Sequence, residues 1–193
     1  MRLFVSVICI SIAVTTSSAF SAVSPAQTLC KADELVVFSC PTKNHIASIC
    51  ASKDISKTSG FMQYRFGRLD HADMVYPDVG IKPADVFTAG TMMFSGGGGD
   101  WLRFSKGAFS YTIFSAFGKW SSHSDGSGDA AGVAVRKNGK EFANFPCRSP
   151  NTSKMGRDFF DDVGLKLKDP AKETDEEADE EFEIPQAFLP KSR

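Results

Sequence analysis

No stretch of this 193-residue sequence stays apolar for the ~20 residues that a membrane-spanning helix takes. Histidine is scarce: His45, His71 and His123 stand far apart, and no Cys-x-x-Cys pair accompanies them, which argues against a metal site. An excess of one charge is missing from residues 23–168, where 18 bases face 14 acids. So weak a basic balance argues against a nucleic-acid partner. The phosphate-loop pattern Gly-x-x-x-x-Gly-Lys-Ser/Thr is absent, because the glycines at 96–99 lead into an alternating segment and not into Lys-Ser and a helix. The hydrolase pattern Gly-x-Ser-x-Gly is absent too, since Ser127 has glycines directly on both sides. Asp125, Ser127 and Asp129 alternate as a calcium loop begins, but its twelfth position, which needs a bidentate Glu, is Arg136. No catalytic set, cofactor motif or metal-ligand set emerges, and the chain reads as a binding protein and not as an enzyme.

What is present begins with a leader. Arg2, an apolar run over residues 3–14 (LFVSVICISIAV) and Ala19-Phe20-Ser21 have the order of a secretory signal peptide. Cleavage is expected near 19–22, giving a signal peptide over 1–22. Cys9 follows Ile8, a poor site for lipid attachment, so no membrane anchor is expected and the mature protein is placed in the periplasm or outside the cell. Four cysteines remain: Cys30, Cys40, Cys50 and Cys147. An even number in an oxidising compartment predicts two disulfides.

Residues 23–168 read as one domain rich in Phe, Val, Ser and Gly, with frequent turn signals. Strands are expected at 35–40 (LVVFSC), 46–50 (IASIC), 61–66 (FMQYRF), 91–94 (TMMF), 101–104 (WLRF), 108–115 (AFSYTIFS), 132–136 (GVAVR) and 140–145 (KEFANF). Asn138-Gly139 between two alternating runs is a strong hairpin signal, because both residues tolerate positive φ. About eight short strands predict an all-β fold, a small antiparallel β-barrel or sandwich. Residues 155–167 add one short helix. Residues 169–193 hold nine acids against three bases. Like-charge repulsion and little apolar content predict a disordered acidic tail, dispensable for folding; apolar residues return at 182–190, where docking on the body is the alternative to the favoured tail.

Several short motifs come in the order found in one known family. They are Phe38-Ser39-Cys40, Ser95-Gly96, Phe104-Ser105-Lys106-Gly107, Tyr111, and Asn144-Phe145-Pro146-Cys147. In this the chain resembles the periplasmic and membrane-bound inhibitors of C-type lysozyme, over roughly half of the body. The glycine run, the shorter Ser95-to-Lys106 spacing, the added Cys30 and Cys50, the segment 67–90 and the acidic tail depart from that family. The resemblance implies a small antiparallel barrel and a Cys40–Cys147 bridge, which leaves Cys30–Cys50. It also implies a protein target. Ser95, Gly96, Gly97, Gly98, Lys106 and Tyr111 would enter the cleft of a cell-wall hydrolase, with Lys106 reaching its two carboxylates. A toxin neutralised by an immunity protein is an alternative partner. A third possibility is a small-ligand carrier, marked by a large apolar cavity in place of a filled core with a protruding 95–106 loop. The sequence leaves oligomeric state open.

Overall fold

The computed structural model describes residues 27–78, 80–94, 96–120, 128–148, 151–168 and 182–189, so the expected signal peptide lies outside the described residues. The chain forms β1 (Glu34–Pro41), β2 (Ile46–Ser52), β3 (Met62–Arg68), β4 (His71–Tyr76), β5 (Thr88–Phe94), β6 (Gly97–Lys106), β7 (Phe109–Gly118), β8 (Gly128–Lys137) and β9 (Lys140–Pro146). The two-residue strands β10 (Thr152–Ser153) and β11 (Lys166–Leu167) flank a short helix, α1 (Arg157–Asp162). The eight expected strands are all present. β4 is an addition: its alternation of Ala72, Met74 and Tyr76 with exposed residues is a strand signal of period two, carried by a segment with two polar side chains.

The strands assemble into two sheets, β10-β1-β2-β3-β4 and β11-β5-β6-β7-β8-β9, which do not join into a closed ring. All pairs are antiparallel except β11 with β5. Asn138 at φ 49° and Gly139 at φ 77° make the expected two-residue turn between β8 and β9. One core lies between the sheets. Val37, Phe38, Ile49, Met62 and Tyr64 come from the first sheet, and Leu102, Phe104, Ile113, Val133 and Val135 from the second. Alternation puts these on one side of each strand, except that a bulge in β1 lets the consecutive Val37 and Phe38 both face the core.

Disulfides join Cys40 to Cys147 and Cys30 to Cys50. The first ties β1 to the residue just past β9, so it crosses from one sheet to the other. Cys50 stands opposite Val36, and Cys40 stands opposite Ala47. The turn closed by the Thr42 N–H and the His45 carbonyl sets the first pairing, and a bulge between Val36 and Phe38 shifts the register by one residue before Val36 and Cys50 meet.

Each outer sheet face is covered by a segment from outside the two sheets. Over the first sheet runs the segment that begins at Gln27, held by Ser39 Oγ donating to the Gln27 carbonyl at 2.7 Å and by the Leu29 N–H donating to Ser48 Oγ at 3.0 Å. Under it lies a buried ion pair. Arg65 donates to the two Glu34 oxygens at 2.7 and 2.8 Å, and to the Leu29 carbonyl at 3.0 Å. Burial on its own raises the Glu34 carboxyl, but the Arg65 bonds, the Lys31 N–H and the positive charges of both residues outweigh it and hold the group below its usual range.

Over the second sheet lies the end of the acidic region. Residues 169–181 fall outside the described residues, but 182–189 pack onto the sheet, and there the expected bare tail is corrected. Phe182 and Phe188 are buried with Met92, Trp101, Phe114, Ala116, Ala130 and Ala134 in a second apolar cluster. Phe188 meets Phe114 edge-on at 4.8 Å. The strand has a notch for it: a Cβ on Gly132 would stand 2.4 Å from the Phe188 ring. Four apolar residues among so many acids are too few to signal burial by composition, yet they suffice to cover one sheet face.

Truncation after Lys168 should lower the melting temperature by at least several degrees, since it strips Trp101 and Phe114 of their cover. Gly132→Val should do much of the same damage, at ~1–3 kcal/mol for overpacking. A thermal scan unchanged by truncation would show that the segment does not hold the sheet. For Glu34, a carboxyl lowered on folding lends stability that is full above its unfolded pKa of ~4.3 and is lost as pH falls through the folded value. Glu34→Gln should therefore cost ~3–5 kcal/mol at neutral pH, because it leaves Arg65 buried without its ion-pair partner. That deficit should shrink in denaturant titrations below pH ~4.

Candidate functional site

The glycine run stands inside a strand. Gly97, Gly98 and Gly99 pair with Phe94, Met93 and Met92 of β5 on one side, and Gly98 and Gly99 pair with Phe117 and Ala116 of β7 on the other. A Cβ on Gly97 would stand 2.0 Å from the Phe117 carbonyl, and one on Gly99 2.5 Å from that of Ser115. The glycines are there so that three strands can approach closely, and residues 97–106 form a strand and not a protruding loop. Only Gly96, at φ 78°, sits in a turn, where β5 passes into β6. Ser95 lies outside the described residues.

The residues singled out for a target's cleft do not form one tip. Gly97 and Lys106 are the two ends of β6, separated by nine residue steps or roughly 30 Å of extended chain. Lys106 is exposed, with Nζ 5.2 Å from the Tyr76 ring centre. Tyr111 faces inward and stacks on Phe104 at 4.8 Å. Ser127 lies outside the described residues, and Asp129 is an exposed residue of β8.

At the Lys106 end the sheets part. A cavity of about 270 Å³ opens there between them. Its walls are Tyr64, Phe66 and Met74 from β3 and β4, and Phe109, Tyr111, Val135, Phe142, Ala143 and Phe145 from β7, β8 and β9. The two phenol hydroxyls are the only side-chain oxygens on this surface, and it carries no side-chain nitrogen. Burial, with the neighbouring Tyr111 adding to it, pushes the Tyr64 phenol up, so it stays neutral at any ordinary pH. Rings meet across the gap between sheets, Phe66 to Phe145 at 5.0 Å and Tyr64 to Phe104 at 5.1 Å.

Two register shifts shape the opening. The β3–β4 ladder slips between Phe66 and Gly67, so Asp73 of β4 has no opposite partner. The β8–β9 ladder slips between Val135 and Arg136, so Phe142 of β9 has none. Both slips are on edge strands, where bulges re-aim side chains. The second lets consecutive residues, Phe142 and Ala143, line the same cavity. Phe142 remains 61% exposed and meets Phe109 edge-on at 5.2 Å.

Tyr111 is the residue from the sequence-based set that reaches this cavity. Phe66, Met74, Phe109, Phe142 and Phe145 were missed as site residues. The signal present for them was a Phe-rich inward face on neighbouring strands, which a filled core shares.

Cys30, Glu34 and Cys50 bring ligand-type atoms together, but both cysteines are in the disulfide and the carboxylate is taken by Arg65. Among the described residues no helix is long and apolar enough to cross a membrane. No protein-family model matches the chain, and neither a curated protein nor a solved structure does.

Gly99→Val should therefore act on the fold, lowering the melting temperature by several degrees through backbone collision at ~1–3 kcal/mol. Lys106→Ala should leave it within about a degree, as for any exposed strand-end residue. Differential scanning calorimetry of both variants checks this. A fully stable Gly99→Val protein would contradict the close packing of β6.

Proposed function

We propose that the mature domain is an exported binder and carrier of a small apolar ligand, held between the two sheets. The observation that carries this reading is the open cavity with almost wholly apolar walls. Protein interiors close to a packing density of ~0.75, and although its volume falls just short of the ~300–1,000 Å³ of ordinary ligand pockets, this opening has their apolar, aromatic lining. The two disulfides fit an oxidising compartment, which with the leader-like N-terminus supports a periplasmic or secreted location. The neutral walls and the lack of any paired acid, base or nucleophile in the cavity favour binding over catalysis.

Inhibition of a lysozyme-type hydrolase is the second reading. The bridge between Cys40 and Cys147 favours it, since that is the pairing the family resemblance implies. Its test is loss of C-type lysozyme activity on cell walls with micromolar mature protein.

The carrier reading is tested with a neutral apolar fluorophore such as N-phenyl-1-naphthylamine. Saturable enhancement with a micromolar Kd is the expected result. Ala143→Trp, which fills the cavity from an edge strand, should weaken binding at least tenfold while the circular dichroism spectrum is kept. Absence of enhancement, or binding indifferent to this substitution, would remove the reading.

A further inference from the structure

We propose that the mouth of this cavity selects an amphiphile with an anionic head and a tail of medium length; the proposal rests on the ligand-carrier reading. In the second sheet Lys106 stands opposite Phe109, Phe109 opposite Lys137, and Lys137 opposite Lys140. Residues directly opposite in an antiparallel ladder point to the same face. Phe109 lines the cavity, so the three lysines leave the sheet on the cavity's side and crown its open end.

Two of the ammonium groups rest on aromatic rings, one on a wall of the cavity and one on Tyr76, which lies outside its lining. Lys137 Nζ lies 5.3 Å from the centre of Phe109, and Lys106 Nζ lies 5.2 Å from that of Tyr76 across the opening. Like charges directly opposite each other weaken a ladder, and Lys137 faces Lys140 with only Asn138 and Gly139 between them. None of the three makes an ion pair among the described residues. The acid on the facing strand, Asp73, is turned to His45 and His71 at 3.9 and 3.6 Å. An unbalanced cationic rim above neutral aromatic walls is the arrangement that a carboxylate-headed or sulfate-headed chain fits. The cavity of about 270 Å³ has room for roughly nine heavy atoms at the ~30 Å³ each that water takes in the liquid.

Isothermal titration of the mature protein with decanoate, decanol and decyltrimethylammonium, each below its aggregation concentration, tests this. The three probes share a tail and differ in head charge. Decanoate should bind about tenfold more tightly than decanol in low salt, and the ammonium should bind more weakly than decanol. The preference should narrow in 0.5 M salt, because exposed charges are screened. The exposed substitutions Lys106→Gln, Lys137→Gln and Lys140→Gln together should bring decanoate down to decanol and leave decanol unchanged. Equal binding of decanoate and decanol to the unmutated protein overturns the anionic rim and leaves the carrier reading standing. So does a decanoate preference that survives the triple substitution. Failure of all three probes to bind overturns both.

Discussion

Two sheets have four faces, and in this chain all four carry groups that water should not reach. The inner pair cover one another, with the Cys40–Cys147 bridge clamping β1 to the end of β9. That bridge closes a sequence separation of 107 residues, so in the chain-entropy account it removes ~4–5 kcal/mol of unfolded-state freedom. The outer pair depend on segments from outside the sheets. The first sheet buries Arg65 and Glu34 beneath a segment stapled by Cys30–Cys50, and the second buries Trp101 and Phe114 beneath Phe182 and Phe188. One cover is polar and covalently fixed. The other is apolar and reached through the acidic stretch 169–181.

Covering by such segments leaves the sheet edges as the place where the domain opens. β4 and β9 are edge strands, each with an irregular register, and the aromatic cavity lies against both. A bulge costs ladder hydrogen bonds but turns side chains to new directions. At Phe142 this puts a large ring at the lip, where it stays exposed to water. A single exposed ring is ordinary on a protein surface, so its weight here comes from its place beside the cavity. The exposed ring, the unfilled space and the cationic row beside them sit at one end of the molecule, which is where the functional reading rests.

Much of the fold was legible because local signals agreed with one another. Alternating β-branched and aromatic runs fix β1, β2, β3, β7, β8 and β9, and Asn138-Gly139 fixes one turn. The cysteine pairing came from family resemblance and not from geometry, which left the partners open. The glycine run misled because glycine signals freedom in sequence, whereas here the neighbouring Phe117 and Ser115 carbonyls demand the absence of a side chain. The site was legible only at Tyr111. Its other residues are gathered by two one-residue slips and by the approach of distant edges, and neither leaves a mark in the local pattern. The return of apolar residues at 182–190 offered docking as an alternative to a tail, but the receptor left no local mark: it is a notch at Gly132, some fifty positions away in the chain.

The most direct test of the account is a methyl and aromatic NMR titration of the mature protein with a neutral C8–C10 ligand. Saturable shifts concentrated on Met74, Val135, Ala143 and Phe142 are the predicted result, with Met92 and Phe114 under the C-terminal cover unmoved. Shifts confined to the exposed Met93 and Phe117, or spread evenly over the surface, would contradict it.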